Sequence, residues 1–546
     1  MAIEFIPTKA DRAKHPILSQ LIDRILRKSN VLGLGDGVLY YGWPKFTDYD
    51  AVKHYVDLAL VSSKTGVVLF RVLTTGNSRV VDETVQSISQ AAASAVSQLI
   101  RSPLLRRRGQ ALRFDVTPLV FAPGNHDSPD DEVPIFGSEV ALLNFLRDLN
   151  DQTLSTDQIA ETRSILEGAK ALVRTSRRAV VDPTRQKFAE ALSRLEDEIA
   201  SFDARQRLVA LTAMGGSQRI RGLAGSGKTV ILAMKAALAH SENPNARILV
   251  TYYTRSLRDT LTRLIARFYR HFGEGEPDWT HIHVHHGWGR KDLPGAYREA
   301  CLRSGLAPLD LTSAQAGKAV GQNPFDYICR TLVRSGAVEA YYDLILIDEG
   351  QDFPAGFYEL CFYLAKGERD TKQIVWAYDE LQDVFDVHVR TPEELFGTDA
   401  DGQPRISLKR SLPDDAETND FVLPKCYRNQ REVLVLAHAI GFGIYGQPVQ
   451  MLQDRNHWED VGYEILSDEM RVGQPVVITR PSKNSPTSLS SPQNVPLIMT
   501  KGFSSIDEEI SFCTDEFVKF IDGGLQPEDI MAIAIDDRAG GCPGVC

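Results

Sequence analysis

The stretch from Arg221 to Thr229, RGLAGSGKT, constrains this chain more than any other. It fits Gly-x-x-x-x-Gly-Lys-Ser/Thr without a mismatch: Gly222, Gly227, Lys228 and Thr229 hold the fixed places, and Gly225 lies between them. An apolar helical pattern, VILAMKAALAH, follows at once. A glycine-rich turn that opens a helix aims free backbone N–H groups and the positive end of the helix dipole at one point, which favours phosphate. Lys228 is then placed to reach the outer phosphates of a nucleotide, and the Thr229 hydroxyl to ligate Mg²⁺.

About 120 residues further on, the strand pattern LILI runs into Asp348-Glu349-Gly350-Gln351-Asp352. An apolar strand ending on adjacent carboxylates suits a metal-assisted hydrolysis. Asp348 would hold the Mg²⁺ water shell and Glu349 would polarise the attacking water. The two motifs together resemble the P-loop NTPases. The glutamine in the fourth place is similar to the DExQ signature of superfamily 1 helicases of the UvrD and Rep type.

Further segments carry that resemblance, and the roles below are what it implies. In SFDARQRLVAL, Gln206 stands where the family reads the adenine edge. After the strand RILVTYY, Thr254 and Arg255 occupy the place of a motif that contacts single-stranded DNA. IHVHHGWG is similar to the family's Thr-Phe-His segment, with His286 in the histidine place. Trp288 is open to two readings, a stacking platform for a base or a packing residue. QIVWAYDELQDVF ends in Asp379 and Gln382, with Tyr378 where the family has glycine, and Gln382 would sense the γ-phosphate. In FVLPKCYRNQREVLVLAHAI, Tyr427 would stack on adenine and Arg428 would reach the γ-phosphate from a second domain.

At 546 residues the chain is too long for one core. No apolar run reaches transmembrane length and the polar N-terminus does not resemble a signal peptide, so a cytoplasmic protein without membrane contact is expected. The seven cysteines are scattered and odd in number, which argues against a disulfide framework or a zinc ribbon. Acidic residues outnumber basic ones, 72 to 61, so any contact with nucleic acid must be a local groove rather than a global field.

Residues 1–150 read as a small α/β unit. VLYYGW, VDLALVSS, VVLFRVLT and RFDVTPLVFAP have strand composition, and ETVQSISQAAASAVSQLI puts Val85, Ile88, Ala92, Ala95 and Leu99 on one helical face. The unit resembles the nuclease-related branch of the PD-(D/E)xK nucleases, with Asp57 in the aspartate place. Arg71 and Leu73 stand where that family has Glu and Lys. An arginine there repels a metal ion, so a degenerate, non-cleaving domain is expected, with Glu83 as a conceivable migrated carboxylate. Arg106 to Arg108 could contact phosphates or end a solvated helix.

The expected architecture is α/β. A helical connector at 151–201 leads to a RecA-like ATP-binding core at 202–420 with a helical insertion at about 260–340. A partial second RecA-like domain follows at 421–546, with strands at PVVITR and IMAIAID. The motifs that would follow in the family are missing after the DDRAGGCPGVC tail, so a truncated chain, or a partner protein supplying them, is expected. ATP and Mg²⁺ are the expected cofactors and single-stranded DNA the expected partner. The resemblance implies an ATP-hydrolysing, helicase-like protein in DNA repair or defence against foreign DNA, with reduced hydrolysis and little unwinding. An ATP-dependent switch or scaffold and a metal-dependent nuclease are the alternatives.

Overall fold

Strands buried at every position, rather than at alternate ones, belong to sheets covered on both faces, and the inner strands LALVS, LILI and IVWAY of the two sheets in this chain are of that kind. The computed structural model describes residues 3–533 except 10, 35, 48–52, 75–77, 108–110, 130, 150–151, 153, 169–185, 191, 193–202, 214, 273–274, 380, 382–389, 409–418, 444–454, 468–473 and 487–496. Most of the expected connector, and Gln382, lie outside the described residues.

The first sheet uses β1 (Glu4–Pro7), β2 (Val38–Tyr41), β5 (Leu58–Ser62), β6 (Gly66–Val72), β7 (Val116–Phe121) and β8 (Ile135–Phe136), in the order β1-β2-β5-β6-β7-β8. A separate hairpin pairs β3 (Lys45–Thr47) with β4 (Lys53–Tyr55). The period-two pattern sorts the two faces. Leu58, Leu60, Val68 and Phe70 pack with Leu18, Leu21, Ile22 and Ile25 of the Pro16–Lys28 helix. Ala59, Val61, Val67 and Leu69 turn the other way, towards Ile88, Ala92, Ala95 and Leu99 of the Ser78–Leu99 helix.

The second sheet comprises β9 (Gln218–Gly222), β10 (Ile248–Tyr252), β11 (Ile282–His286), β12 (Leu344–Ile347), β13 (Ile374–Tyr378) and β14 (Asp420–Leu423). All its pairings are parallel, in the order β11-β10-β12-β13-β9-β14. The strand β11 and the helices Ala296–Arg303, Leu311–Gly317 and Pro324–Arg334 share the stretch expected to be a helical insertion. The segment FVL, read with the C-terminal region, sits in this sheet as β14. Two arginines of β9 fix it there: Arg219 makes two hydrogen bonds of 2.8 and 2.9 Å to Asp420, and Arg221 a third of 3.1 Å.

The C-terminal residues make less regular structure. Of PVVITR only Ile478 and Thr479 form a strand, β16, antiparallel to β15 (Glu464–Ile465). The described part of IMAIAID pairs with nothing, and Met531 and Ile533 are exposed. A lone strand has no ladder in which to satisfy its backbone, so apolar composition alone does not make a sheet. Among the described residues no helix is long and apolar enough to cross a membrane. The described cysteines are all free thiols.

A buried carboxylate joins the two sheets. Glu167, with no solvent exposure, accepts a hydrogen bond from Arg163 at 3.0 Å, pairs with Arg207 and accepts a hydrogen bond from the Tyr40 hydroxyl. Arg163 also reaches Glu4 at 2.8 Å. Tyr40 and Glu4 belong to the first sheet, and Arg207 lies on the helix Ala204–Leu211 beside the second. Removing one member of a buried charge cluster strands the others, which costs far more than the cluster itself contributes. Glu167→Ala should therefore lower unfolding stability by about 3 kcal/mol or more, and Glu167→Gln by less, because the amide still accepts from Tyr40. Urea unfolding followed by circular dichroism tests this; an Ala variant as stable as wild type would refute the role.

Candidate functional site

Parallel α/β sheets gather ligands at the carboxyl ends of their strands, and five of the six strands here end in residues singled out from the sequence. β9 ends in the phosphate-loop segment, which turns into the Lys228–Glu242 helix with Gly227 as its N-cap. Gly225 and Gly227 have φ of +83° and +92°, a region that side chains strain. Neither position has room for a side chain in any case. A Cβ on Gly225 would collide with Arg428, and one on Gly227 with the Gln206 amide. On Gly222 it would lie 2.6 Å from the Ser226 hydroxyl. The absent side chains are what bring Gln206 and Arg428, about 220 residues apart in the chain, against opposite sides of one loop.

Lys228 is buried, and its ammonium donates to the loop carbonyls of Gly222 at 2.7 Å and Leu223 at 3.2 Å. It also faces Asp379, 3.5 Å away at the end of β13. Burial pushes the Asp379 carboxyl above its usual range, against the opposing effect of Lys228. The carbonyls hold the lysine in the loop without neutralising it.

β12 delivers the carboxylates. Asp348 has no solvent exposure, and its backbone N–H bonds to Thr251 of β10 at 2.9 Å. Burial and the neighbouring Glu349 charge push its carboxyl up to about 6, against a hydrogen bond from Thr229 and the charge of Lys228. Glu349 follows with φ of +49°, the only left-handed non-glycine among the described residues. Gln351 donates to the Glu349 carboxylate at 2.8 Å and accepts from the Asp379 backbone N–H at 3.1 Å. One amide thus ties the end of β12 to the end of β13, a role the sequence motif did not disclose.

Beside the loop lies a cavity of about 240 Å³ between Asp203, Gln206, Ser226, Leu423 and Tyr427. Asp203 and Gln206 form a reciprocal cap, each side chain bonding the other's backbone N–H at 2.8 Å. The Gln206 amide donates to Ser226 at 2.7 Å and keeps one N–H and one lone pair for another partner. The Tyr427 hydroxyl donates to Asp203. That bond, the Gln206 N–H and Lys425 bring the Asp203 carboxyl below its usual value although burial works the other way. The Tyr427 N–H bonds to Gly225 at 3.0 Å, which seats the exposed Arg428 at the loop.

Two features of this arrangement leave it open to further partners. Asp348 Oδ2 and Ser226 Oγ are buried beside the loop and lack hydrogen-bond partners among the described residues. The turn between them has the bare-backbone form that accepts phosphate oxygens. Asp348 and Thr229 are already joined side chain to side chain.

The expected nucleic-acid residues are arranged unequally. Thr254 and Arg255 are exposed beyond the end of β10. His286, at the end of β11, accepts the N–H groups of Trp288 and Gly289 at 3.1 Å each, and burial lowers its pKa, so the neutral ring shapes the following loop. Of the two readings of Trp288, the geometry has the packing one: the indole stacks on Phe325 at 5.2 Å and 7°, and its N–H bonds to Leu309. The outward-facing aromatic is Tyr253, 43% exposed, which the sequence reading passed over.

In the N-terminal sheet Arg71 bonds to Asp57 at 3.1 Å, and the Val72 N–H takes the other carboxylate oxygen at 2.8 Å. Glu83 is spent on an exposed pair with Arg79. No cluster of three or more His, Cys, Asp or Glu suited to a metal occurs among the described residues. Arg107 and Arg113 bond to backbone carbonyls of their own loop. No protein-family model matches the chain, and no curated protein matches it either.

The protonation of Asp348 can be read from stability. An acid whose pKa is higher folded than unfolded, here about 6 against ~3.9, binds more protons folded, so its stabilising contribution exists at low pH and is lost as pH rises through that window. The cost above pH 6 is on the order of 3 kcal/mol. Asp348→Asn should therefore melt higher than wild type at pH 8, with the difference shrinking towards pH 4. A variant that melts lower at pH 8 would show the carboxylate to be stabilising instead.

Proposed function

We propose that this chain is an ATP-hydrolysing protein of the superfamily 1 helicase type, which couples nucleotide turnover to binding of, or movement on, single-stranded DNA. The observation that carries the reading is the packing of Gln206 and Arg428 against Gly227 and Gly225 of the loop that holds Lys228. It brings base-side, phosphate-side and arginine elements to one place from distant parts of the chain.

Each residue has work that its position suits. Gln206 would read the edge of the base with its remaining N–H and lone pair, and Tyr427 would pack against it. Lys228 would exchange loop carbonyls for phosphate oxygens, a trade of neutral acceptors for charged ones. Mg²⁺, held through Thr229 and Asp348, would neutralise phosphate charge. Glu349, oriented by Gln351, would accept the proton of the attacking water. Arg428 has no recorded hydrogen bond or ion pair among the described residues, and its guanidinium would meet the charge that develops in transfer. Thr254, Arg255 and Tyr253 would form the DNA-facing edge, with Tyr253 as the stacking ring.

The nuclease reading loses support because Arg71 supplies Asp57 with the positive charge that a metal would otherwise bring. The switch reading draws on the Glu167 cluster, which joins the helix bearing Gln206 to the N-terminal sheet. DNA repair or defence remains the setting that the resemblance implies.

The deciding measurement is steady-state ATP hydrolysis with and without single-stranded DNA. Turnover should rise with DNA and fall roughly a hundredfold or more in Lys228→Ala, and at least as far in Arg428→Ala. DNA-independent turnover would move the assignment to the switch, and wild-type turnover at the Lys228→Ala level would overturn the hydrolase reading.

A further inference from the structure

At the opposite end of the second sheet from the phosphate loop, a cleft of about 550 Å³ opens between the two sheets. Its volume lies within the roughly 300–1,000 Å³ common for small-molecule sites. One wall is the amino end of the sheet, with Gln218 at the start of β9, and the end of the Ala204–Leu211 helix. The other is the chain after β1 together with the β3–β4 hairpin.

Four lysines line it, Lys9, Lys14, Lys45 and Lys235, against two carboxylates. Both carboxylates are engaged: Glu242 pairs with Lys45 at 3.2 Å, and Asp11 accepts the Tyr41 hydroxyl at 2.6 Å. Lys235 is buried, and its ammonium donates to the Thr212 carbonyl at 2.8 Å, with no carboxylate recorded beside it. An ammonium carries three donors, so two remain. Gln218, which lines the same cleft and is only 3% exposed, has an Oε1 without a hydrogen-bond partner among the described residues. A buried amino group without a counter-charge and a buried acceptor without a donor, among the described residues, share one cavity. Water satisfies neither as well as an anion that also bears a hydroxyl.

We propose that this cleft is a second ligand site, separate from the nucleotide site, for a small phosphorylated sugar-like molecule. Its phosphate is met by Lys235 in depth and by the more exposed Lys9 and Lys14, and a hydroxyl donates to Gln218. Desolvation pushes the Lys235 ammonium down to about 7, the behaviour of a cation that gains when an anion arrives.

The test uses the full chain and ribose 5-phosphate, which carries a phosphate and several hydroxyls but no base. Calorimetry and thermal shift should detect binding to wild type and, unchanged, to Lys228→Ala, while ribose alone does not bind. Lys235→Met should weaken binding roughly tenfold or more, and so should the surface double variant Lys9→Gln/Lys14→Gln, which leaves the buried walls intact. The proposal fails if wild type does not bind at millimolar concentration, if Lys228→Ala abolishes binding, if both lysine variants bind as wild type does, or if ribose binds equally well. Displacement by a dT oligonucleotide would also overturn it, by making the cleft part of a DNA path.

Discussion

The glycine-rich loop between β9 and the Lys228–Glu242 helix can be approached closely because three of its positions have no side chain. Gly222, Gly225 and Gly227 let Ser226, Arg428 and Gln206 come closer to the backbone than any Cβ would allow. Two of them also supply positive φ, which turns the chain from β9 into its helix within a few residues. Everything else at the site depends on that turn. Lys228 is aimed by the helix it begins, and the neighbouring cavity is walled by residues that could not approach a bulkier loop.

Charge burial runs through the molecule and is handled differently in each place. At Glu167 the carboxylate meets two arginines and a tyrosine, so the charges are mutually satisfied and hold the two sheets together. At Asp57 the same solution recurs, with Arg71 of β6 meeting the carboxylate. At Asp348 burial is left largely uncompensated, with one oxygen unpartnered, and the acid rises to about 6. Such a group costs stability and is poised to gain from a cation, a pattern that belongs to functional sites rather than to frameworks. The left-handed backbone at Glu349, the next residue, is a second strained feature in the same place.

The long inner elements of the N-terminal sheet could be read, because strands buried on both faces and an alanine-rich amphipathic helix carry strong local patterns, whereas the short strands β1, β3, β4 and β8 and the Glu139–Asp148 helix went unread. The loop and the DEGQD segment were equally visible, since their chemistry demands particular residues at fixed spacing. Less could be read in the C-terminal region. There apolar runs suggested strands, but without partners only two residues of PVVITR pair. Trp288 shows the same limit on a smaller scale: its local sequence does not say what the indole meets, and the structure stacks it on Phe325, from a helix more than thirty residues away.

By itself the sequence determined the glycine-rich turn that opens a helix, the carboxylate-ended strand and the apolar inner strands of both sheets, because these follow from local backbone sterics and side-chain chemistry. The tertiary structure alone decided which distant residues share a site. Asp420 joins β14 to β9, Gln351 bridges two strand ends, Asp379 faces Lys228, and Glu167 links the sheets. The cleft around Lys235 likewise exists only where the two sheets meet. Strand order and the pairing of buried charges are set by the summed packing of the whole chain, and no local window of sequence contains that sum.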